Sequence, residues 1–322
     1  MKVHGSTNHL VLNSKGLSID CRHPIPGAAH VMGILNVTPD SFSDGGKYAN
    51  TDSAVQRAAQ MVEEGAKLID VGGASSRPRG AAYGEGAPLV SAQEEMDRIL
   101  PVIERIAMEM PDCWISVDTF RSDVAQQALA IGAHSINDIT ALRFDPDIAS
   151  VCAAAKAPLF LMHSEGLPGA MPHQVEAANP VSKVVSELTL ASTLALKLGC
   201  TQLVLDPGFG FGKTTQGNLQ LISSLNLLTA LGWPVLIGVS RKSTIGQLMA
   251  RGGVIPDPNS RLSGSLGVTA VGILNGASIV RTHDVRETSD FLLSFHTTAS
   301  LSESPLSYHA IPPSHAEPKT DS

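Results

Sequence analysis

Short runs of β-branched and aliphatic residues recur through the middle of the chain: Val31–Leu35, Lys67–Val71, Trp114–Asp118, His134–Asp138, Pro158–Met162, Gln202–Asp206, Val235–Val239 and Ser278–Thr282. Each has the length of a short strand. Segments of helical period lie between them. In the first, Val55, Ala58, Ala59 and Val62 fall on one face, with Thr51 and Asp52 as N-cap candidates. The second opens on Ser91 with Glu94 three residues on, a capping box. Further helices are expected near 121–131, 182–198, 217–231 and 262–275. Gly65-Ala66, Gly132-Ala133 and Gly276-Ala277 each precede a run, where a left-handed helix cap is wanted. Strands alternating with helices imply parallel pairing through helical crossovers. Eight units over about 270 residues match a closed (β/α)8 barrel of the α/β class. A doubly wound open sheet is the alternative. The expected layout is an N-terminal extension over 1–26 with no sustained period, one barrel domain over 27–297, and a disordered tail over 298–322 rich in Ser, Pro, His and Thr.

The polar positions sharpen this picture. The runs end on, or are followed by, Asn36; Asp70 with Gly72-Gly73; Asp118; Asn137-Asp138; His163; Asp206; Ser240-Arg241-Lys242-Ser243; and Arg281-Thr282-His283. Taken singly, an Asp after a strand commonly caps the next helix, and a His is commonly a satisfied core or surface residue. Eight such endings together point to one barrel rim, the carboxyl rim on which barrel enzymes carry their chemistry.

Composition narrows the partners. A net charge of −7 argues against nucleic acid, whose backbone needs a basic face, but leaves room for a small anionic substrate held by two or three local cations. Cys21, Cys113, Cys152 and Cys200 make no CxxC pair, so no zinc knuckle, redox motif or disulfide framework is expected. Met1–Gly16 lacks the apolar core of a signal peptide, and no stretch is long enough to span a membrane, so a cytoplasmic protein is expected. Two near-motifs fail. Gly208–Thr214 looks like a P-loop, but Pro207 stands where Walker A needs glycine, and Lys213 stands where a dinucleotide fingerprint needs one. There is no HExxH, no GxSxG and no Ser-His-Asp arrangement to argue from spacing.

Asn36–Gly46 (NVTPDSFSDGG) resembles the first signature loop of the dihydropteroate synthases. Asp70–Pro78 (DVGGASSRP), Ser116–Thr119, Asn137-Asp138, Leu161–His163, Asp206–Lys213 (DPGFGFGK), Ser240–Ser243 and Arg281–His283 are similar to the same family, in order, from about residue 30 to about 290. The resemblance implies a (β/α)8 enzyme, a transferase joining 7,8-dihydropterin-6-methyl diphosphate to 4-aminobenzoate with release of diphosphate. It implies Mg²⁺ as cofactor and a homodimer. It assigns the pterin edge to Asp206, Asn137, Asp118 and Lys242, and a ring face to Phe211 and Met162, the last equally readable as core. It assigns the diphosphate to Arg281 and His283, with Mg²⁺ held with help from Asn36. Asp44 would stabilise a pterin-methyl cation and Phe42 would cover it. Ser243, with Ser76, Arg77 and Pro78 of the second loop, would receive the aminobenzoate.

The match has departures. Ala74 stands where the family usually has Glu, Ser76 where it has Thr, and Arg79–Pro88 is several residues longer than the usual loop. They leave the pterin site intact and bear on aminobenzoate and on sulfonamides, which occupy its site, so an altered sulfonamide sensitivity is expected. The alternatives are a pterin-binding methyltransferase-like barrel, which needs neither Arg281 nor His283 nor the first loop, and an inactive paralogue, which would have lost Asn36, Asp206, Lys242 or Arg281.

Overall fold

A computed structural model describes residues 10–22, 29–38, 47–74, 90–169, 172 and 175–301, with 47–50 as backbone alone. Chain order runs β1 (Val11–Ser14), β2 (Leu17–Asp20), β3 (His30–Asn36), α1 (Lys47–Glu63), β4 (Leu68–Gly72), α2 (Ala92–Glu109), β5 (Trp114–Asp118), α3 (Ser122–Ile131), β6 (Ser135–Asp138), α4 (Asp147–Ala155), β7 (Leu159–Met162), α5 (Pro180–Lys197), β8 (Leu203–Asp206), α6 (Thr215–Ser223), α7 (Asn226–Thr229), β9 (Leu236–Ile237), α8 (Ser243–Leu248), α9 (Leu262–Leu274), β10 (Ile279–Thr282) and α10 (Val285–Ser300). Strands β3 to β10 pair in the order β8-β7-β6-β5-β4-β3-β10-β9, every pair parallel. A parallel bridge from Leu205 to Val235 closes the ring, which an open doubly wound sheet lacks.

Alternation along each strand sorts the residues into two shells. Ile69, Val71, Ile115, Val117, Leu203 and Leu205 pack outward, in one cluster with the helices. Met32, Leu68, Trp114, Phe160, Val204, Leu236 and Ile279 fill the barrel floor. Two residues beyond five of these floor residues, the same inward face carries Asp70, Ser116, Met162, Asp206 and Arg281, four of them polar. The floor is apolar and the layer above it polar because each strand repeats the same two-residue beat.

The N-terminal stretch, for which the sequence shows no sustained period, holds a two-stranded hairpin. Lys15 and Gly16 turn it with φ of 47° and 86°, both positive as a type I′ turn requires. Its Leu12, Ile19 and Cys21 join the floor cluster, so the hairpin plugs the amino end of the barrel. Burying Leu12 and Ile19 contributes roughly 1.5–3 kcal/mol each. Lys15 Nζ donates to the Leu129 carbonyl at 2.7 Å, and the Gln202 amide pairs with the Asn13 backbone at 2.7 and 3.0 Å.

Helix ends differ in part from expectation. Ser91 Oγ accepts from Glu94 N–H at 3.1 Å, as the capping box requires. Gly65, Gly132 and Gly276 all take positive φ. α1, however, starts at Lys47, so Thr51 and Asp52 lie inside it, and Asp52 instead pairs with Arg105 on α2. The helix expected over 217–231 breaks into α6 and α7. α10 runs to Ser300, and the tail beyond 301 lies outside the described residues. No described helix is long and apolar enough to cross a membrane. All four cysteines are free and buried, and burial pushes the Cys21 and Cys113 thiols up to about 12, which leaves them unreactive packing groups.

His134 ties the floor to acid stability. Its Nδ1 accepts the Ile115 N–H at 3.1 Å, and burial, aided by Lys15, lowers its pKa from 6.5 to about 4. The unfolded imidazole takes a proton below 6.5, while the folded one stays neutral to about 4. Stability from this group is therefore complete above 6.5 and falls with pH below it, by at most about 1.4 kcal/mol per unit. His134→Asn keeps an acceptor for Ile115 and should flatten the melting-temperature slope across that window. An unchanged slope would show that other groups set it.

Candidate active site

The carboxyl rim gathers the polar strand ends. At its centre Arg281 of β10 donates from Nε to Asp70 Oδ2 at 2.7 Å and from Nη2 to Asp118 Oδ2 at 3.1 Å. Asn137 of β6 donates from Nδ2 to the same Asp70 oxygen at 2.9 Å. Asp70 is fully buried and Asn137 nearly so. Burial pushes the Asp118 carboxyl well above the usual carboxylate range; Arg281 pulls it back and Asp70 pushes it further. Burial lowers the Arg281 pKa, but the pull of Asp70 and Asp118 outweighs it, so the guanidinium stays charged.

A second group sits on the loop after β8. Asp206 Oδ1 accepts the Gly208 N–H at 2.7 Å. Gly208 has φ +66°, and a Cβ there would lie 1.7 Å from the His163 carbonyl oxygen, so only glycine lets the loop fold back this tightly. Lys213 Nζ straps the loop, donating to the carbonyls of Gly208 (2.8 Å), His163 (3.3 Å) and Phe211 (3.3 Å). Burial raises the Asp206 pKa, with Lys242 foremost among the cations opposing it. Burial likewise lowers Lys242 to about 7, against the pull of Asp206. Lys242 Nζ donates to the Phe209 carbonyl and stands 4.3 Å from the centre of the Phe211 ring. Met162 packs with Phe120 and Ile139, and Phe211 lies against them. A carboxylate and an ammonium thus stand beside an apolar patch.

Beyond β9 the chain turns through Arg241 at φ 60°, its side chain held by Asp284. Ser240 Oγ accepts the His283 backbone N–H at 3.2 Å and lies 3.0 Å from His283 Nδ1. Burial first, then Arg281 and Arg241, lower His283 to about 4, which favours the neutral imidazole. Ser243 begins α8. Asn36 is exposed at the end of β3. A Cβ on Gly72 would fall 3.5 Å from Asp118 Cβ and 3.9 Å from Asn36 Oδ1, so the glycine leaves a gap between these two side chains.

Asp118, Asn137 and Arg281 thus form one cluster, and Asp206, Lys242, Phe211 and Met162 a second. Phe42, Asp44, Ser76, Arg77 and Pro78 lie outside the described residues. Two participants were not singled out from the sequence. Asp70 was visible only as a strand-end acid, although its inward register between Leu68 and Gly72 marked it. Lys213 was visible only as the residue that spoils a nucleotide motif.

A family model described as pterin binding enzyme matches residues 32–283. The dihydropteroate synthase of Escherichia coli K12 is 41% identical over 295 residues, covering 91% of this chain and 98% of that protein. The Xanthomonas albilineans dihydropteroate synthase solved with 4-aminobenzoic acid superposes at TM-score 0.80 with 38% identity, covering 91% of this chain and 99% of that one. The same enzyme in complex with 7,8-dihydropteroate superposes at 0.77 with 36% identity, over 91% and 100% of the two chains.

Proposed function

Because the chain belongs to the dihydropteroate synthase family of pterin-binding enzymes, transferases of folate synthesis, we propose that it condenses 7,8-dihydropterin-6-methyl diphosphate with 4-aminobenzoate, releasing diphosphate. What supports this reading is the rim pair of clusters: Asp118 and Asn137 tied through Arg281 and Asp70, and Asp206 with Lys242 beside the apolar Met162 and Phe211, with Arg281 also acting on Asp206. A pterin is flat, with a 2-amino group and ring N–H along one edge. An ionised Asp206, which Lys242, Lys213 and Arg281 favour against the effect of burial, accepts from both. Met162 and Phe211 cover the ring faces.

No nucleophilic side chain is needed. Diphosphate departs first, leaving a pterin-methyl cation, and the aniline nitrogen attacks it. Arg281 and the neutral His283 imidazole stabilise charge on the departing group. Asp44 and Phe42 act on the cation, and Ser243 with Ser76, Arg77 and Pro78 receives the aminobenzoate carboxylate; for the loop residues this rests on sequence alone. Among the described residues no His, Cys, Asp or Glu cluster is built to hold a metal by itself. Asn36 offers one amide oxygen across the gap at Gly72, which suits Mg²⁺ brought in with a diphosphate, since that ion keeps waters and takes few protein ligands. When bound, magnesium supplies charge neutralisation to the diphosphate oxygens.

The test is diphosphate release that requires both the pterin diphosphate and 4-aminobenzoate. Pterin binding without release would instead favour a binding paralogue. We also place the enzyme in the cytoplasm and as a homodimer, for which exposed Leu248, Val254 and Ile255 offer apolar surface. The long second loop, with small Gly80, Ala81, Ala82 and Gly84, alters discrimination between sulfonamide and aminobenzoate. Replacing residues 74–88 with the usual short loop should change the ratio of sulfonamide inhibition constant to aminobenzoate KM by more than about twofold, or ~0.4 kcal/mol. A ratio inside that bound would make the departures neutral.

A further inference from the structure

Asp70 sits mid-strand in β4, with no exposed surface. One of its oxygens, Oδ2, receives both Arg281 Nε and Asn137 Nδ2. A guanidinium only donates, so Oδ2 serves as an acceptor at this junction. The amide atom of Asn137 that faces it must therefore be the nitrogen. Asn137 Oδ1, on a side chain 3% exposed, has no hydrogen-bond partner among the described residues. A buried acceptor left open at a site rim is costly unless a ligand donor meets it.

We propose that Asp70 is a positioning residue that holds the Asn137 amide by its nitrogen, so that Asn137 turns its open Oδ1 to the pterin as an acceptor, and draws Arg281 onto the same oxygen. This rests on the reading that Asn137 lies on the pterin edge. Asn137 then reads a ring or exocyclic N–H, and cannot turn to accommodate a heterocycle with an acceptor at that place. The pterin edge and the leaving-group side share one anchoring carboxylate.

A double-mutant cycle tests it, with the Kd of bare 6-hydroxymethyl dihydropterin read by calorimetry. Asn137→Ala and Asp70→Leu should each weaken binding roughly tenfold. The double variant should fall clearly short of the product of the two single losses, because the part of the Asp70 effect that runs through the amide is already gone in Asn137→Ala. Asp70→Asn keeps one acceptor oxygen for both donors and should recover most of the loss. The KM for 4-aminobenzoate should stay within about twofold in each active variant. Additive losses in the double variant would overturn the proposal while leaving the pterin-edge reading intact; no loss on Asn137→Ala would overturn both. Should Asp70→Leu not fold, the wild-type protein still decides. Its Asn137 side-chain NH₂ signals should be protected from exchange and unmoved in hydrogen bonding when the pterin binds, and freely exchanging signals would sink the idea.

Discussion

Replacing Arg281 with alanine should cost stability and turnover together. Its guanidinium is shared by Asp70 and Asp118, whose side chains are 0% and 12% exposed. Removing one partner of a buried pair strands the other and typically costs ~3–5 kcal/mol. The sign with pH follows. Burial already raises the Asp118 pKa, and without Arg281 it rises further. A carboxyl whose pKa is raised on folding lowers stability as pH climbs from its ordinary 3.8 to the folded value, and the penalty is level above that, so a higher folded pKa extends the loss to higher pH. The stability deficit of the variant should thus be greater at about pH 8 than at about pH 5. Loss of a positioned cation from the leaving group should lower kcat/KM by roughly 100- to 1,000-fold. Since the arginine also supports the pterin edge, the bare pterin should bind less well too, though by less than the diphosphate form. An unchanged melting curve with equal losses for both ligands would remove Arg281 from the leaving-group role.

Asp206→Asn should weaken pterin binding tenfold or more in a folded protein. The Gly208 N–H, 2.7 Å from Oδ1, needs an oxygen in that position. It therefore fixes the new amide with its oxygen on the loop side and its NH₂ turned to the ligand, where donor meets donor. Losing the charge-assisted bond costs roughly 1.5–3 kcal/mol, and the mismatch adds to it. A second signature comes from Lys242. Burial lowers it to about 7 and Asp206 is the group that raises it, so without the carboxylate its pKa drops further. Any limb of the pH–rate profile that reports Lys242 should shift to lower pH. Calorimetry showing unchanged pterin affinity would withdraw Asp206 from the edge.

Much of this was legible along the chain. The runs ending in Asp118, Asn137 and Asp206 became β5, β6 and β8 with those residues at or next to their carboxyl ends. The Gly-Ala exits took the positive φ expected of them. The hairpin was not legible, because it stands outside the strand–helix repeat that marked the barrel strands, and its apolar positions make sense only against the floor they cover. The N-cap of α1 was misplaced because Thr51 and Asp52 satisfy the local rule equally well inside the helix, where Asp52 has Arg105.

Sequence alone determined which side chains stand inside the barrel at its carboxyl rim, because two-residue alternation and strand ends are local properties of the chain. Which of them touch was decided by closure. Arg281 meets Asp70 across 211 residues and Asp118 across 163, distances over which no periodicity carries information. The ring brings β10 beside β3, and the inward face then sets one guanidinium between two carboxylates. The same carboxylate also receives the Asn137 amide nitrogen, a contact made across 67 residues.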